Sequence, residues 1–127
     1  DGRIGATACQ DGTAALWRSR SGRRVHVLRG HDAQVTHLAF SACGTAVVTS
    51  SADRTARVWE VATGSCRHVL AGHQHQVFCA VFSRSGHNIA TASLDGTAKL
   101  WNADSGECDQ TFKGHFTGVL VVHFSPE

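Results

Sequence analysis

A period of 42 residues runs through this sequence and limits the folds open to it. Trp occurs only at 17, 59 and 101, and a Gly-His pair recurs at 30–31, 72–73 and 114–115, so both features recur at intervals of 42 residues. Residues 30–71 laid over 72–113 without a gap agree at 15 of 42 positions. A period of this length indicates one supersecondary unit that recurs along the chain and stacks on its own copies.

The local signals within each period are those of β-strands. The segments 35–40, 77–82 and 119–124 are apolar runs that end in Phe and are followed by Ser. Asp-Arg at 53–54 and Asp-Gly at 11–12 and 95–96 predict tight turns between strands. No segment keeps the spacing of three and four residues that a helix requires. The sequence therefore predicts an all-β fold, and a period of this length suits the four-stranded antiparallel blade of a β-propeller.

The chain resembles WD-repeat (WD40) β-propeller sequences over essentially its whole length. Three features carry the resemblance together: the Gly-His pair, a Ser/Thr-x-x-x-Asp motif and the Trp, all at fixed offsets. The residue after Trp departs from the family, because Arg18, Glu60 and Asn102 stand where the family has Asp.

The resemblance implies a structural tetrad in each blade, in which Trp, Ser/Thr, His and Asp form one hydrogen-bonded chain. An indole N–H can only donate, a hydroxyl both donates and accepts, and a carboxylate accepts several bonds. The implied tetrads are His31, Thr49, Asp53 and Trp59, then His73, Thr91, Asp95 and Trp101, with parts of two more in Thr7, Asp11, Trp17 and His115.

Transferred to the chain, the repeat gives four segments: 1–29 as the last three strands of a blade, 30–71 and 72–113 as WD repeats, and 114–127 as Gly-His and the first strand of the next blade. Three blades do not close a ring, since propellers typically have about four to eight. Two explanations stay open. Either further blades of a longer chain complete the ring, or identical chains associate to give six or nine blades.

The resemblance also places a partner-binding rim, at the residues on either side of the conserved apolar position after Gly-His and at the residue before each tetrad Asp. Apolar and amide side chains there would suit a peptide or protein surface. The alternative is that Phe78 and Leu120 pack between blades. The predicted rim residues are Gln10, Gln34, Thr36, Ala52, Gln76, Phe78, Leu94 and Leu120.

Catalysis and metal binding receive little support from the sequence. A Thr-His-Asp set could suggest a hydrolase triad, but a catalytic site does not recur once per blade. Nine His and five Cys raise the question of a metal, yet there is no Cys-x-x-Cys spacing and recurring positions fall on different blades. We expect no catalytic residues, no metal and no cofactor.

One basic run, RSRSGRR, holds Arg18, Arg20, Arg23 and Arg24. It is expected to be a solvated hairpin, with a contact to RNA or to a phosphopeptide as the alternative. The absence of an interleaved aromatic residue weakens the RNA version.

Composition sets the remaining expectations. Hydrophobic residues make up 42% and charged residues 17%, which is too apolar for a disordered segment. A formal charge of +2 predicts neither a nucleic-acid nor a membrane partner, and no apolar run approaches the roughly 20 residues that span a bilayer. Five Cys cannot all pair within one chain. We therefore expect a non-catalytic protein-interaction scaffold in a reducing compartment, the cytoplasm, with the nucleus or cilium as alternatives.

Overall fold

The computed structural model describes residues 3–113, 118 and 121–125, and these form three antiparallel sheets without a helix. The first sheet, blade 1, contains β1 (Ile4–Ala8), β2 (Ala14–Arg18) and β3 (Arg24–Leu28). Blade 2 contains β4 (Val35–Phe40), β5 (Ala46–Ser51), β6 (Thr55–Glu60) and β7 (Cys66–Ala71). Blade 3 contains β8 (Val77–Phe82), β9 (Asn88–Ser93), β10 (Ala98–Asn102) and β11 (Cys108–Phe112). The all-β fold and the blade architecture predicted from the sequence are confirmed.

Each strand pairs with its neighbours in chain order, which makes every blade a meander. The antiparallel order puts the β5–β6 turn and the β7–β8 link at one end of the strands. We call this the rim end. The β4–β5 and β6–β7 turns lie at the opposite end, the hairpin end. Residues separated by one period therefore occupy the same place in neighbouring blades.

The core lies between the blades. Ala14, Leu16 and Leu28 of blade 1 pack against Val47 and Trp59 of blade 2. The same positions one period later form the second interface, where blade 2 supplies Ala56, Val58 and Leu70 and blade 3 supplies Ile89 and Trp101. Small, β-branched and aromatic side chains fill both interfaces, and this burial of apolar surface stabilises the stack.

The strand predicted over 119–124 is wrong for the part of that segment that the structure describes. Residues 121–125 lie in no strand, and Val121 is 59% exposed. A strand forms when a neighbour accepts its backbone hydrogen bonds, and no described residue pairs with this segment. The Cys79 Sγ lies 3.9 Å from the Val122 carbonyl oxygen, which is a weak contact with blade 3.

The part of the chain that the structure describes offers no helix with the length and apolar character needed to cross a bilayer.

Candidate functional site: the tetrads and the rim

In blade 2, four side chains from two strands, one turn and the segment before β4 form one continuous hydrogen-bonded chain. The Trp59 Nε1 donates to the Thr49 Oγ1 over 2.8 Å. The Thr49 Oγ1 lies 2.7 Å from the His31 Nε2, and the His31 Nδ1 lies 2.9 Å from the Asp53 Oδ2. The chain joins β6, β5, the segment before β4 and the β5–β6 turn, so it fixes both ends of the blade's middle strands.

The direction of these bonds determines the protonation of His31. Because the Thr49 oxygen already accepts the indole proton, its own O–H is free to donate to the Nε2 of His31. The Nδ1–H of His31 then donates to the carboxylate of Asp53, which describes the neutral imidazole. Burial lowers the pKa of His31, and the bond to Asp53 opposes this shift only in part. The neutral ring satisfies every donor and acceptor of the chain.

Asp53 is the acceptor at which several bonds converge. Its Oδ2 accepts the backbone N–H of Asp32 at 3.0 Å, besides the His31 ring. Its Oδ1 accepts both the backbone N–H and the hydroxyl of Thr55, at 2.9 and 2.6 Å. Burial alone would raise the pKa of Asp53, but the bonds from Thr55, His31 and Asp32 outweigh it and hold the pKa below its ordinary value.

Blade 3 repeats this arrangement closely. The Trp101 Nε1 donates to the Thr91 Oγ1 over 2.9 Å, and the His73 ring lies 2.7 Å from that oxygen and 2.9 Å from the Asp95 Oδ2. Burial lowers the pKa of His73. Burial would raise the pKa of Asp95, but bonds from Thr97, Gln74 and His73 hold it far below its ordinary value.

Blade 1 holds only part of the set within residues 3–113. Trp17 donates to the Thr7 hydroxyl over 3.0 Å, and Asp11 accepts bonds only from Thr13, at its backbone N–H and its hydroxyl. Trp17 is half-buried, whereas Trp59 and Trp101 are each 2% exposed. His115, the remaining predicted tetrad residue, lies outside the described residues.

The Thr-His-Asp set is built as a brace, in both blades where it is complete. The hydroxyl-bearing side chains Thr49 and Thr91 have no exposed surface, so a substrate cannot reach the atom that a hydrolase would use as nucleophile. Removal of any member leaves a buried polar partner without its hydrogen bond, which costs on the order of 1–3 kcal/mol per unsatisfied group.

The predicted rim residues lie together at the rim end. Gln10, Ala52 and Leu94 follow β1, β5 and β9, while the other described ones stand at the start of β4 and β8. Backbone bonds of 2.9 Å join Ala52 to Gln34 and Leu94 to Gln76. A Cβ on Gly118 would lie 2.5 Å from the Leu94 Cδ1, so Gly118 touches the Leu94 side chain. Leu120 lies outside the described residues.

Thr36 and Phe78 occupy equivalent β-bulges, at which the pairing of β4 with β5 and of β8 with β9 shifts by one residue. The Thr36 hydroxyl donates to the Val77 carbonyl of blade 3 over 2.6 Å and lies 2.9 Å from the Ser50 Oγ. Thr36 is thus engaged at the blade junction. Phe78 is half-buried, and Ala92 replaces Ser50 in its blade, so the bulge of blade 3 is apolar. Bulges of this kind re-aim side chains next to functional sites.

The rim ends of blades 2 and 3 also differ at Leu94, which is 38% exposed, because blade 2 has Ala52 at the equivalent position. Val77 and Ser93 form the last pair of β8 and β9 at the rim end. Phe78 follows Val77 and Leu94 follows Ser93, so both lie next to this pair. Gln34 and Gln10 are exposed, and Gln76 is half-buried. The rim end therefore carries an apolar spot on blade 3 beside Gln76, while Gln34 and Gln10 lie at the rim ends of blades 2 and 1.

The comparison with protein families matches this geometry. The sequence pattern of the family described as "WD domain, G-beta repeat" matches residues 22–60 and 64–102, which together make up more than half of the chain. The chain belongs to the WD-repeat family. No curated protein matches it. The two WD-repeat matches end at Glu60 and Asn102, one residue after the tetrad Trp, so each spans the end of one blade and three strands of the next.

Two histidines that the sequence reasoning set aside join neighbouring blades of this WD-repeat chain. The His26 Nε2 donates to the Ala62 carbonyl over 3.1 Å, and the His68 Nε2 donates to the Asp104 carbonyl over 2.9 Å. A Cβ on Gly64 would come within 2.9 Å of the His26 ring, and Gly64 also has a φ of +75°, so glycine is required there twice over. The sequence signal for this role was the recurrence of His26 and His68 at an interval of 42 residues.

The remaining His and Cys residues form no metal centre in the described part of the chain, where no three His, Cys, Asp or Glu side chains are grouped around a common point. All five cysteines are free thiols, and only Cys79 is buried. Hydrogen bonding with Thr45, by its hydroxyl and its backbone, lowers the pKa of the exposed Cys43 to about 7.

Proposed function

We propose that this chain is a non-catalytic scaffold that docks a peptide segment of a partner protein at the rim end of blade 3. WD-repeat domains are in general protein-interaction scaffolds, and the Thr49 and Thr91 hydroxyls of the two complete tetrads are buried where no substrate can reach them. The observation that carries the proposal is the apolar spot of Phe78 and exposed Leu94, in a place where the otherwise equivalent blade 2 has Thr36 and Ala52.

The chemistry of this spot suits an extended peptide with one large apolar side chain. An aromatic and an aliphatic group provide the anchor, because hot spots of binding are apolar and central. The exposed Gln34 and Gln10 and the half-buried Gln76 offer amide donors and acceptors to the peptide backbone. The bulge at Phe78 fixes the position of the aromatic ring on a rigid strand, which reduces the ordering cost of binding.

A random-peptide display library selected on the 127-residue chain tests the proposal. Peptides enriched on the wild type are synthesised and titrated against it, against F78A/L94A, and against V69A, which truncates another exposed apolar side chain, on β7. We expect the double variant to weaken binding by about tenfold or more, as loss of a central anchor does. V69A should bind as the wild type does. Equal binding by all three proteins would contradict a site at this rim.

Self-association is a second candidate, and one observation favours it. Phe112 on β11 is 51% exposed, whereas the equivalent Leu28 and Leu70 are 1% and 0% exposed because the following blade covers them. A further blade of a longer chain, or blade 1 of a second copy, would cover this face. Light scattering distinguishes the two. A sharp peak at two or three times 13.5 kDa supports closure of a six- or nine-bladed ring by identical chains. A monomer or a polydisperse sample contradicts it.

A reducing compartment suits five free thiols, so we propose the cytoplasm as the location, with the nucleus and the cilium as alternatives. Fluorescence microscopy of the tagged chain decides among them.

A further inference from the structure

The hairpin end of blade 1 concentrates positive charge. The β2–β3 hairpin holds Arg18, Arg20, Arg23 and Arg24, and Arg3 precedes β1 at the same end, all five exposed. Within residues 3–30 the only acidic side chain is Asp11, which lies in the β1–β2 turn at the rim end. In the described part of the chain, no carboxylate forms an ion pair with any of these five arginines.

The same hairpin in the other blades shows that the fold does not require this charge. In blade 2 the β6–β7 hairpin holds Glu60 and Arg67, which pair at 3.3 Å and cancel. In blade 3 the β10–β11 hairpin and its second strand hold Asp104, Glu107 and Asp109, with no basic residue. One structural element therefore changes from strongly basic to neutral to acidic across three blades, while the net charge of the whole chain is only +2.

Hydrogen bonds fix the backbone from which the arginines project. The Arg18 N–H donates to the Arg23 carbonyl over 2.8 Å, and the Gly22 N–H donates to the Arg18 carbonyl over 2.9 Å, which closes the hairpin. The Ser19 N–H and hydroxyl both donate to the Arg3 carbonyl, at 3.0 and 3.2 Å, which ties Arg3 to the same element. A ligand that binds here does not have to order the backbone, so more of the interaction energy appears as affinity.

We infer that this basic hairpin docks a phosphorylated segment of a partner protein. Arginine guanidinium groups form forked, charge-assisted bonds with phosphate oxygens, and a phosphate carries more charge than a single carboxylate. Residues 18–24 contain no aromatic side chain on which a nucleic-acid base could stack. The inference does not rest on the rim, because the hairpin lies at the opposite end of the strands.

Fluorescence anisotropy with the 127-residue chain tests this inference. The probe is a labelled 12-residue peptide of neutral residues with two phosphoserines. Three comparison probes are the same peptide unphosphorylated, the peptide with Glu at both positions, and a 12-nucleotide single-stranded RNA. The test variant is R20E/R23E. The control R29E/R84E makes the same charge change at two exposed arginines outside the hairpin. Thermal unfolding of each variant establishes that it is folded.

We expect the phosphopeptide to bind most tightly, R20E/R23E to weaken it by about tenfold or more, and R29E/R84E to weaken it by less than about twofold. Raising the salt from about 50 to 200 mM should weaken binding to the wild type more than to R20E/R23E, since fewer phosphate contacts release fewer ions. Tighter binding of the RNA or of the Glu peptide would overturn the inference. So would no binding of the phosphopeptide, or equal losses in the two variants.

Discussion

Blades 2 and 3 are nearly identical inside and different outside. Their tetrads agree to within 0.1 Å at the bonds that Trp and His make, and Trp59 and Trp101 are equally buried. At the rim, however, blade 2 has Thr36 and Ala52 where blade 3 has Phe78 and Leu94. Positions that recur with the 42-residue period build the blade, whereas Phe78 and Leu94 are specific to blade 3, where we propose that they contact a partner.

Removal of the Trp that links two blades should have the largest effect on stability. Trp59 is 2% exposed and packs on blade 1, whereas Trp17 is only half-buried. We expect Trp59→Ala to lower the free energy of unfolding by about 4 kcal/mol through the cavity that it leaves. Trp17→Ala should cost clearly less. Urea unfolding followed by circular dichroism measures both, and equal losses would show that burial between blades is not the cause.

Removal of the tetrad carboxylate should be the next largest effect. Asp53→Ala leaves the His31 ring and the Asp32 and Thr55 backbone N–H groups without their acceptor, so we expect a loss of about 3 kcal/mol. Asp11→Ala is the matched control, because Asp11 is exposed and bonds only Thr13. It should cost much less in the same urea titration. A loss as large in Asp11→Ala as in Asp53→Ala would refute the brace.

Replacement of Arg54 should have a smaller effect on the free energy of unfolding, and of opposite sign, because the β5–β6 turn differs from its equivalents in the other blades. It has a φ of +79° in the β5–β6 turn, where Gly12 and Gly96 stand in the equivalent turns. A side chain is strained in this region, so Arg54→Gly should raise the free energy of unfolding by about 1 kcal/mol. Arg54→Ala keeps the strain and should change little. If both substitutions have the same effect, the Arg54 side chain and not its backbone determines the difference.

The pH dependence of stability should be the mildest effect near neutrality. Burial lowers the pKa values of His31 and His73, so the unfolded chain binds more protons than the folded one below about pH 6.5. The stabilisation is complete above that pH and is lost as the pH falls toward the folded pKa values. Asp53 and Asp95, whose pKa values are also lowered, add a second loss below about pH 3.8.

Melting temperatures measured between pH 8 and pH 5 report the stability that is lost when His31 and His73 become protonated. The melting temperature of H31Q/H73Q should depend less on pH. A protein that becomes more stable as the pH falls from 7 to 5 would contradict the neutral histidines.

The sequence allowed the fold and the composition of the two complete tetrads to be predicted, because both recur with the 42-residue period. It did not allow the role of His26 and His68 to be predicted, since the carbonyl that each ring meets depends on the spacing between blades. The bulges at Thr36 and Phe78 were missed for the same reason, as register is set by pairing and not by one strand. The predicted strand at 119–124 failed at its described residues, 121–124, because no described strand pairs with them. The rim stays a prediction.

The central claim is that the recurring positions stabilise the fold and that the apolar spot at the rim end of blade 3 binds the partner. It is tested most directly by measuring the unfolding free energy and the peptide affinity of F78A/L94A beside those of Asp53→Ala. The account predicts that F78A/L94A loses about 1 kcal/mol of stability or less, since Leu94 is exposed and Phe78 half-buried, and loses peptide binding. If F78A/L94A unfolds as readily as Asp53→Ala, these side chains pack between blades and the assignment of the rim is contradicted.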